Sequence, residues 1–223
     1  MEKRDVLCDW QERFPALSPY TSSTLYMKAD IVLMGLRCEN VMSGVYRIFF
    51  ECLPLWENEK KKMKIPVFCS ELLDGKGLQF FIDYRSHDRL FPMAAAYVEK
   101  QFGIFLNENI SVDDVCSWLK KLSSSFVPEH NPIKLYRIFE FKLALALFFG
   151  DKNLFEKIKK EIDAEIRYWD SRRFERLFHQ TVQTWKTSLF LKIEDREAFV
   201  RQVYLNMDND KRIMRLKETH FEL

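Results

Sequence analysis

The sequence predicts an α+β fold: an N-terminal antiparallel β-meander of about four strands with covering helices, then a C-terminal all-helical lobe around a buried central helix. Three observations lead there. Strand-like alternation is confined to the first half of the chain, and helical spacing of apolar residues dominates the second. The stretch Pro132 to Phe149 is punctuated as a helix at both ends: Asn131 can cap the first amides, Pro132 sits where a missing N–H costs nothing, and Gly150 supplies a left-handed exit. Lys134, Arg137 and Glu140 give that helix a narrow polar stripe, but Leu143 to Phe149 is apolar on every side, so its C-terminal half belongs in a core. A division into a sheet-containing lobe, residues 1–122, and a helical lobe, residues 123–223, packed as one compact unit, is expected.

Taken in order, Val6, Leu7, Trp10 and Phe14 recur at helical spacing, so residues 2–14 form a short amphipathic helix, ended by Pro15, Pro19 and the run Thr21-Ser22-Ser23. From Thr24 the pattern turns to strand, with Leu25, Met27, Ala29, Ile31 and Leu33 alternating with more polar neighbours. Val45 to Leu53 is a second β-rich run, joined to the first across a hairpin loop from Glu39 to Gly44. After the charged excursion Glu57 to Lys64, two more strands are expected at Ile65 to Cys69 and Leu78 to Tyr84, separated by the turn Asp74-Gly75-Lys76-Gly77. Asp88 to Phe102 is the covering helix, with Pro92 in its first turn.

The second half is read as helical. Ser111 caps a helix with Asp113 and Asp114 in its first turn, running to about Leu122. The segment Ser123 to Pro132 is the best linker in the chain. Beyond the central helix, Asn153 to Tyr168 carries Leu154, Ile158, Ile162 and Ile166 four apart. Phe174, Leu177, Phe178, Val182, Trp185 and Leu189 form one further stripe, and Phe199, Val203, Tyr204 and Met207 another. The chain then ends in a short basic helix around Ile213 to Leu216.

Composition bounds the function classes. Twenty phenylalanines require a ring-rich core, and six glycines leave little material for phosphate-cradling loops. GxGxxG, GxxxxGK[ST] and GxSxG do not occur, which argues against dinucleotide-binding, P-loop and nucleophile-elbow chemistry. Net charge is +2 and spread along the chain, without the polarisation of a dedicated nucleic-acid binder. Cys8, Cys38, Cys52, Cys69 and Cys116 are odd in number and widely spaced, so neither a disulfide framework nor a zinc site is expected. The N-terminal Met-Glu-Lys-Arg-Asp lacks the apolar run of a signal peptide, and the longest apolar stretch is too short to span a bilayer. The expectation is a soluble, cytoplasmic protein with no cofactor and no membrane partner.

Three clusters bear chemistry. Asp83, Tyr84, Arg85, His87, Asp88 and Glu99 lie at a strand end and on the helix after it, where carboxylates and an imidazole could serve metal-assisted hydrolysis by a hydrolase or nuclease. The competing reading is that Ser86 or Asp88 caps the helix and His87 is a solvated loop residue, and so short a match is commonly accidental. The other histidines, His130, His179 and His220, stand in unhelpful surroundings. A thiol nucleophile at Cys52, Cys69 or Cys116 is a second option, set against ordinary core cysteines. Third, Arg167, Tyr168, Trp169, Arg172, Arg173 and Arg176 interleave arginine with aromatic rings, as a nucleic-acid or protein interface does; alternatively the arginines pair with Asp163, Glu165, Asp170 and Glu175 at a buried helix junction. The lysines of the excursion, Lys60, Lys61, Lys62 and Lys64, read as a solvated loop.

The leading expectation is a non-enzymatic, cytoplasmic protein-binding module of the inhibitor, adaptor or immunity type, acting through an aromatic and arginine surface at Trp169, Arg172, Arg173 and Arg176 on another protein. The alternatives are the hydrolase at Asp83, His87, Asp88 and Glu99, and nucleic-acid binding through Arg167 to Arg176.

Overall fold

The computed structural model describes residues 3–125, 130–191 and 195–223. The chain opens with α1 (Lys3–Arg13) and continues into β1 (Ser18–Thr21), β2 (Thr24–Ala29), β3 (Val32–Met42), β4 (Val45–Pro54), β5 (Phe68–Glu71) and β6 (Phe81–Asp83). Then come α2 (His87–Phe102), the short β7 (Asn109–Ser111) and α3 (Val112–Ser124). The helices α4 (Pro132–Phe149), α5 (Lys152–Glu165), α6 (Ser171–Phe178), α7 (Val182–Leu191) and α8 (Arg196–Asp208) follow, and β8 (Glu218–Glu222) closes the described chain. This is the α+β arrangement of meander then helices that the sequence predicts.

The sheet runs β5-β4-β3-β2-β8-β7, with β1 added to β2 and β6 to β4. The pairs within β1 to β6 are antiparallel, whereas β8 runs parallel to both β2 and β7. The expected first strand is two strands, because Asp30 takes a left-handed conformation (φ 41°) and folds Val32–Met42 back on Thr24–Ala29. The hairpin after it is tighter than expected, turning at Ser43 and Gly44. Pro92 lies inside α2 rather than in its first turn, because that helix begins at His87. The apolar run from Phe174 to Leu189 divides into α6 and α7 at His179, which is left-handed (φ 53°). The linker placed at Ser123 to Pro132 falls partly on residues 126–129, outside the described residues, as does residue 2 of the first helix.

β1, β7 and β8 have no signature in the sequence pattern. Ser18-Pro-Tyr-Thr and Asn-Ile-Ser are too short to show a period, and Glu-Thr-His-Phe-Glu buries only Thr219 and Phe221. β8 is held from across the chain: Asp30 Oδ2 accepts from the Phe221 amide at 2.7 Å, and the Thr219 hydroxyl donates to the Asn107 carbonyl at 2.8 Å.

One face of the sheet is apolar and carries the larger core. Phe50 stacks on Phe102 of α2, and Phe68 meets Trp118 of α3 and Phe141 of α4. The opposite face is polar. Register places Tyr26, Gly35, Glu51 and Cys69 side by side across β2, β3, β4 and β5, and Arg37, Phe49 and Glu71 in the next row. Gly35 is what lets this face close. A Cβ there would fall 2.1 Å from the Leu25 carbonyl oxygen, so glycine is what lets β3 pair this closely with β2, and across it the Tyr26 hydroxyl donates to Glu51. Arg37 donates to Glu51 at 2.8 Å, and the guanidinium groups of Arg37 and Arg47 both lie over the Phe49 ring, 4.4 and 4.5 Å from its centroid.

Helix α4 stands between two cores. Ile138, Phe141, Ala144 and Leu145 belong to the core under the sheet, and Leu135, Phe139, Leu143 and Ala146 to a second core with α5, α6 and α7. Its caps are as the sequence predicts: Asn131 accepts from the Ile133 amide at 3.1 Å, and Gly150 is left-handed (φ 70°). Within its polar stripe Lys134 is exposed, Glu140 is half-buried and Arg137 is buried. The Arg137 guanidinium donates to Glu57 at 3.0 Å, Glu140 at 2.6 Å and the Ile65 carbonyl at 2.9 Å. The charged excursion is therefore not wholly solvated: its lysines are exposed, but Glu57 is buried against α4. Breaking a buried ion pair leaves an uncompensated charge, so Arg137→Leu should lower the unfolding free energy by about 3–5 kcal/mol in a urea titration. A loss below about 1 kcal/mol would show that this pair behaves as an exposed one.

Candidate functional site

The hydrolase cluster does not assemble. Asp83 Oδ1 accepts from the Arg85 amide at 2.7 Å and so caps the short 3-10 turn that leads into α2. Ser86 makes no side-chain cap, and Asp88 is exposed in the first turn of α2. Glu99 is ion-paired with Arg13 of α1 at 2.5 Å. His87 is the surprise: it is a core residue, not a solvated one. Its Nδ1 is 2.6 Å from the Tyr46 hydroxyl and its Nε2 is 2.9 Å from Asp9 Oδ2. With Asp9 accepting from Nε2–H, Nδ1 is the acceptor for Tyr46, and the chain ties α1, β4 and α2 together. Burial pushes the Tyr46 hydroxyl up in pKa, so it stays a donor at physiological pH. The signal that could have marked His87 is its place one turn before Phe91 on an apolar face; its partner Asp9 is 78 residues away and invisible to spacing.

The thiols are poor nucleophiles. Burial raises Cys52 and Cys116, and Cys69 is pushed up to about 11 by desolvation of its sulfur against the sheet and by the neighbouring Glu51 carboxylate. Among the described residues no group of three or more His, Cys, Asp or Glu side chains could hold a metal ion. No helix of the described residues is long and apolar enough to cross a membrane.

The third cluster is where the structure departs most usefully from expectation. Trp169 is 5% exposed: its ring stacks on Phe174 at 5.4 Å and meets Trp185 at 5.2 Å, and its indole N–H donates to Glu165 at 3.2 Å. It anchors the second core and offers no ring to a ligand. The exposed ring is its neighbour Tyr168, 68% exposed and stacked on His130 at 4.4 Å. Arg172, Arg173 and Arg176 are exposed on α6 and make no ion pair among the described residues.

The reason is competition for the acids. Asp163 is 2.5 Å from the Lys186 ammonium, and Glu165 is 2.8 Å from His130 and also holds Trp169. Asp170 is spent on the helix itself, accepting from the Arg173 amide at 3.0 Å as the α6 N-cap. The pairing expected between these acids and the arginines is not formed. Arg172 and Arg176, one turn apart, line a shallow cleft with Asp170 and Glu175, and Leu177 stands exposed beside them. The α6 face thus presents three guanidinium groups without ion pairs among the described residues, above an aromatic base of Trp169, Phe174 and Trp185.

His220 is also better placed than its sequence neighbours suggested, with Nδ1 2.9 Å from Asp30 Oδ1 across 190 residues. No protein-family model, curated protein or solved structure matches the chain.

The thiol assignment is checked by pH-dependent alkylation read residue by residue in a mass spectrometer. Only the thiolate reacts, so labelling of Cys69 should be slow at neutral pH and climb about tenfold per pH unit until it levels near 11. Fast labelling at neutral pH, levelling near the ordinary thiol value, would return Cys69 to the list of nucleophiles.

Proposed function

We propose that the chain is a non-enzymatic, cytoplasmic protein-binding module of the inhibitor or adaptor kind, and that its α6 face docks on an acidic surface of a partner protein. One observation carries the reading: Arg172, Arg173 and Arg176 are exposed, without ion pairs among the described residues, on a helix whose other side packs against Trp169 and Trp185 through Phe174. Arginine and tyrosine are the residues interfaces use most, because each offers a large contact area and directed donors. Preorganisation adds to this, since a partner need not order α6 before binding it. The five free cysteines suit a reducing compartment.

A nucleic acid is the second reading, and the α6 cleft disfavours it. Glu175 and Asp170 sit in the same cleft as Arg172 and Arg176. A phosphate backbone is anionic throughout and meets these carboxylates unfavourably, whereas an acidic protein surface can set its acids on the arginines and a donor opposite Asp170 and Glu175.

The test pairs native-lysate purification with charge reversal. Wild-type chain should retain one acidic protein, and Arg172→Glu/Arg176→Glu should weaken that complex by about 30-fold or more. Both side chains are exposed, so the unfolding midpoint should not move. An undiminished complex in the variant would refute the α6 assignment. Retention of RNA or DNA with a steep salt dependence, and of no protein, would favour the second reading.

A further inference from the structure

The cleft between the end of α8, the end of α4 and β8 carries a charge arrangement that the fold itself does not use. Asp208 is the last residue of α8, and the last turn of that helix holds no basic side chain. The carbonyl groups at a helix C-terminus already carry partial negative charge, and a carboxylate placed there is unfavourable; a cation is what the position favours. The other carboxylates lining the cleft have partners within the fold, and Asp30 also accepts from the Phe221 amide at 2.7 Å. Lys28 pairs with Glu218 at 2.6 Å, and His220 lies 2.9 Å from Asp30. Asp208 has no partner among the described residues. Beside it the cleft is walled by Phe148, Tyr204, Met207 and Met214, with Tyr204 one turn before Asp208 on the same helix. Tyr204 is 54% exposed and Met214 59%, so rings and thioethers face solvent around an unneutralised carboxylate.

We infer that this cleft binds an organic ammonium, its charged head on Asp208 and its hydrocarbon body against Tyr204, Phe148 and the two methionines. A carboxylate supplies the ion pair, an aromatic face attracts the cation through its quadrupole, and methionine adapts to the alkyl part. Inorganic cations are poorly served, since most of the remaining lining is apolar or already paired. The same chemistry occurs in a free alkylamine and in a lysine side chain presented by a polypeptide. The site is separate from the α6 face and does not rest on it.

The experiment uses the full chain labelled at its methionine methyl groups and followed by NMR. Butylammonium, Nα-acetyl-lysine methylamide and uncharged butanol are added in separate titrations. Saturable shifts of Met207 and Met214 with butylammonium, absent with butanol and not shared by the core residues Met27 and Met34, are expected. Asp208→Asn should raise the dissociation constant about fivefold, and Tyr204→Ala about threefold. Saturation by butylammonium alone identifies a free amine as the ligand, and saturation by the lysine derivative as well identifies a side chain. No saturable shift with either ammonium, an equal response to butanol, or unchanged affinity in Asp208→Asn would overturn the inference.

Discussion

Helix α4 has to be buried on both sides at once, and much of the molecule follows from that requirement. Its eighteen residues carry two apolar faces, one that completes the core beneath the sheet and one that seeds the core of α5, α6 and α7. A helix with so little polar surface cannot rest at the edge of a lobe without exposing a large apolar stripe. Two of the charges it carries, Arg137 and Lys142, are buried and each is met by a carboxylate, while Lys134 stays exposed. Arg137 is met by Glu57 and Glu140, and Lys142 reaches Glu161 of α5 at 2.6 Å. The Leu147 carbonyl at its C-terminus accepts from the Gly150 amide at 3.1 Å and also from the Arg196 guanidinium at 2.9 Å. These contacts reach from the loop after β4 to the start of α8, so segments from both halves of the chain are referred to one helix.

The same economy explains why the α6 arginines stand free. Three of the four acids near them are committed elsewhere by geometry: one caps a helix, one holds a tryptophan, one serves a lysine on α7; the fourth, Glu175, lies in the cleft with them. The sheet's polar face shows the contrary case. There Arg37 and Arg47 are pinned by Glu39, Glu51 and Glu71, and their planes cover Phe49. Burial disfavours the Arg37 cation, yet its hydrogen bonds to Glu39 and Glu51 outweigh this and hold its pKa above the ordinary value. Arginines locked in this way have little to offer a partner, whereas those on α6 keep their donors.

What was legible in the sequence was local. The ends of α4 could be read from Asn131, Pro132 and Gly150, and the Ser111 cap from its spacing to the acids after it, because caps are decided within one turn. β-branched and aromatic content marked β4, the run Val45 to Leu53. What was not legible depends on residues far apart. Nothing around His87 announces Asp9 or Tyr46, and nothing around Glu57 announces Arg137, 80 residues later. β8 carries only two buried side chains and is defined by the strands it joins. Trp169 and Tyr168 could not be told apart by composition; a single residue's rotation at the end of α5 decides which ring is core and which is exposed.

The central claim, that α4 makes both cores one cooperative unit, is tested most directly by native-state hydrogen exchange across a denaturant series. The account predicts that the slowest amides of β3 and β4 and those of α5 and α7 converge on one opening free energy with one denaturant dependence. If α5 to α7 opened at distinctly lower free energy while α4 and the sheet stayed protected, the two cores would be independent, and α4 would belong to the sheet alone.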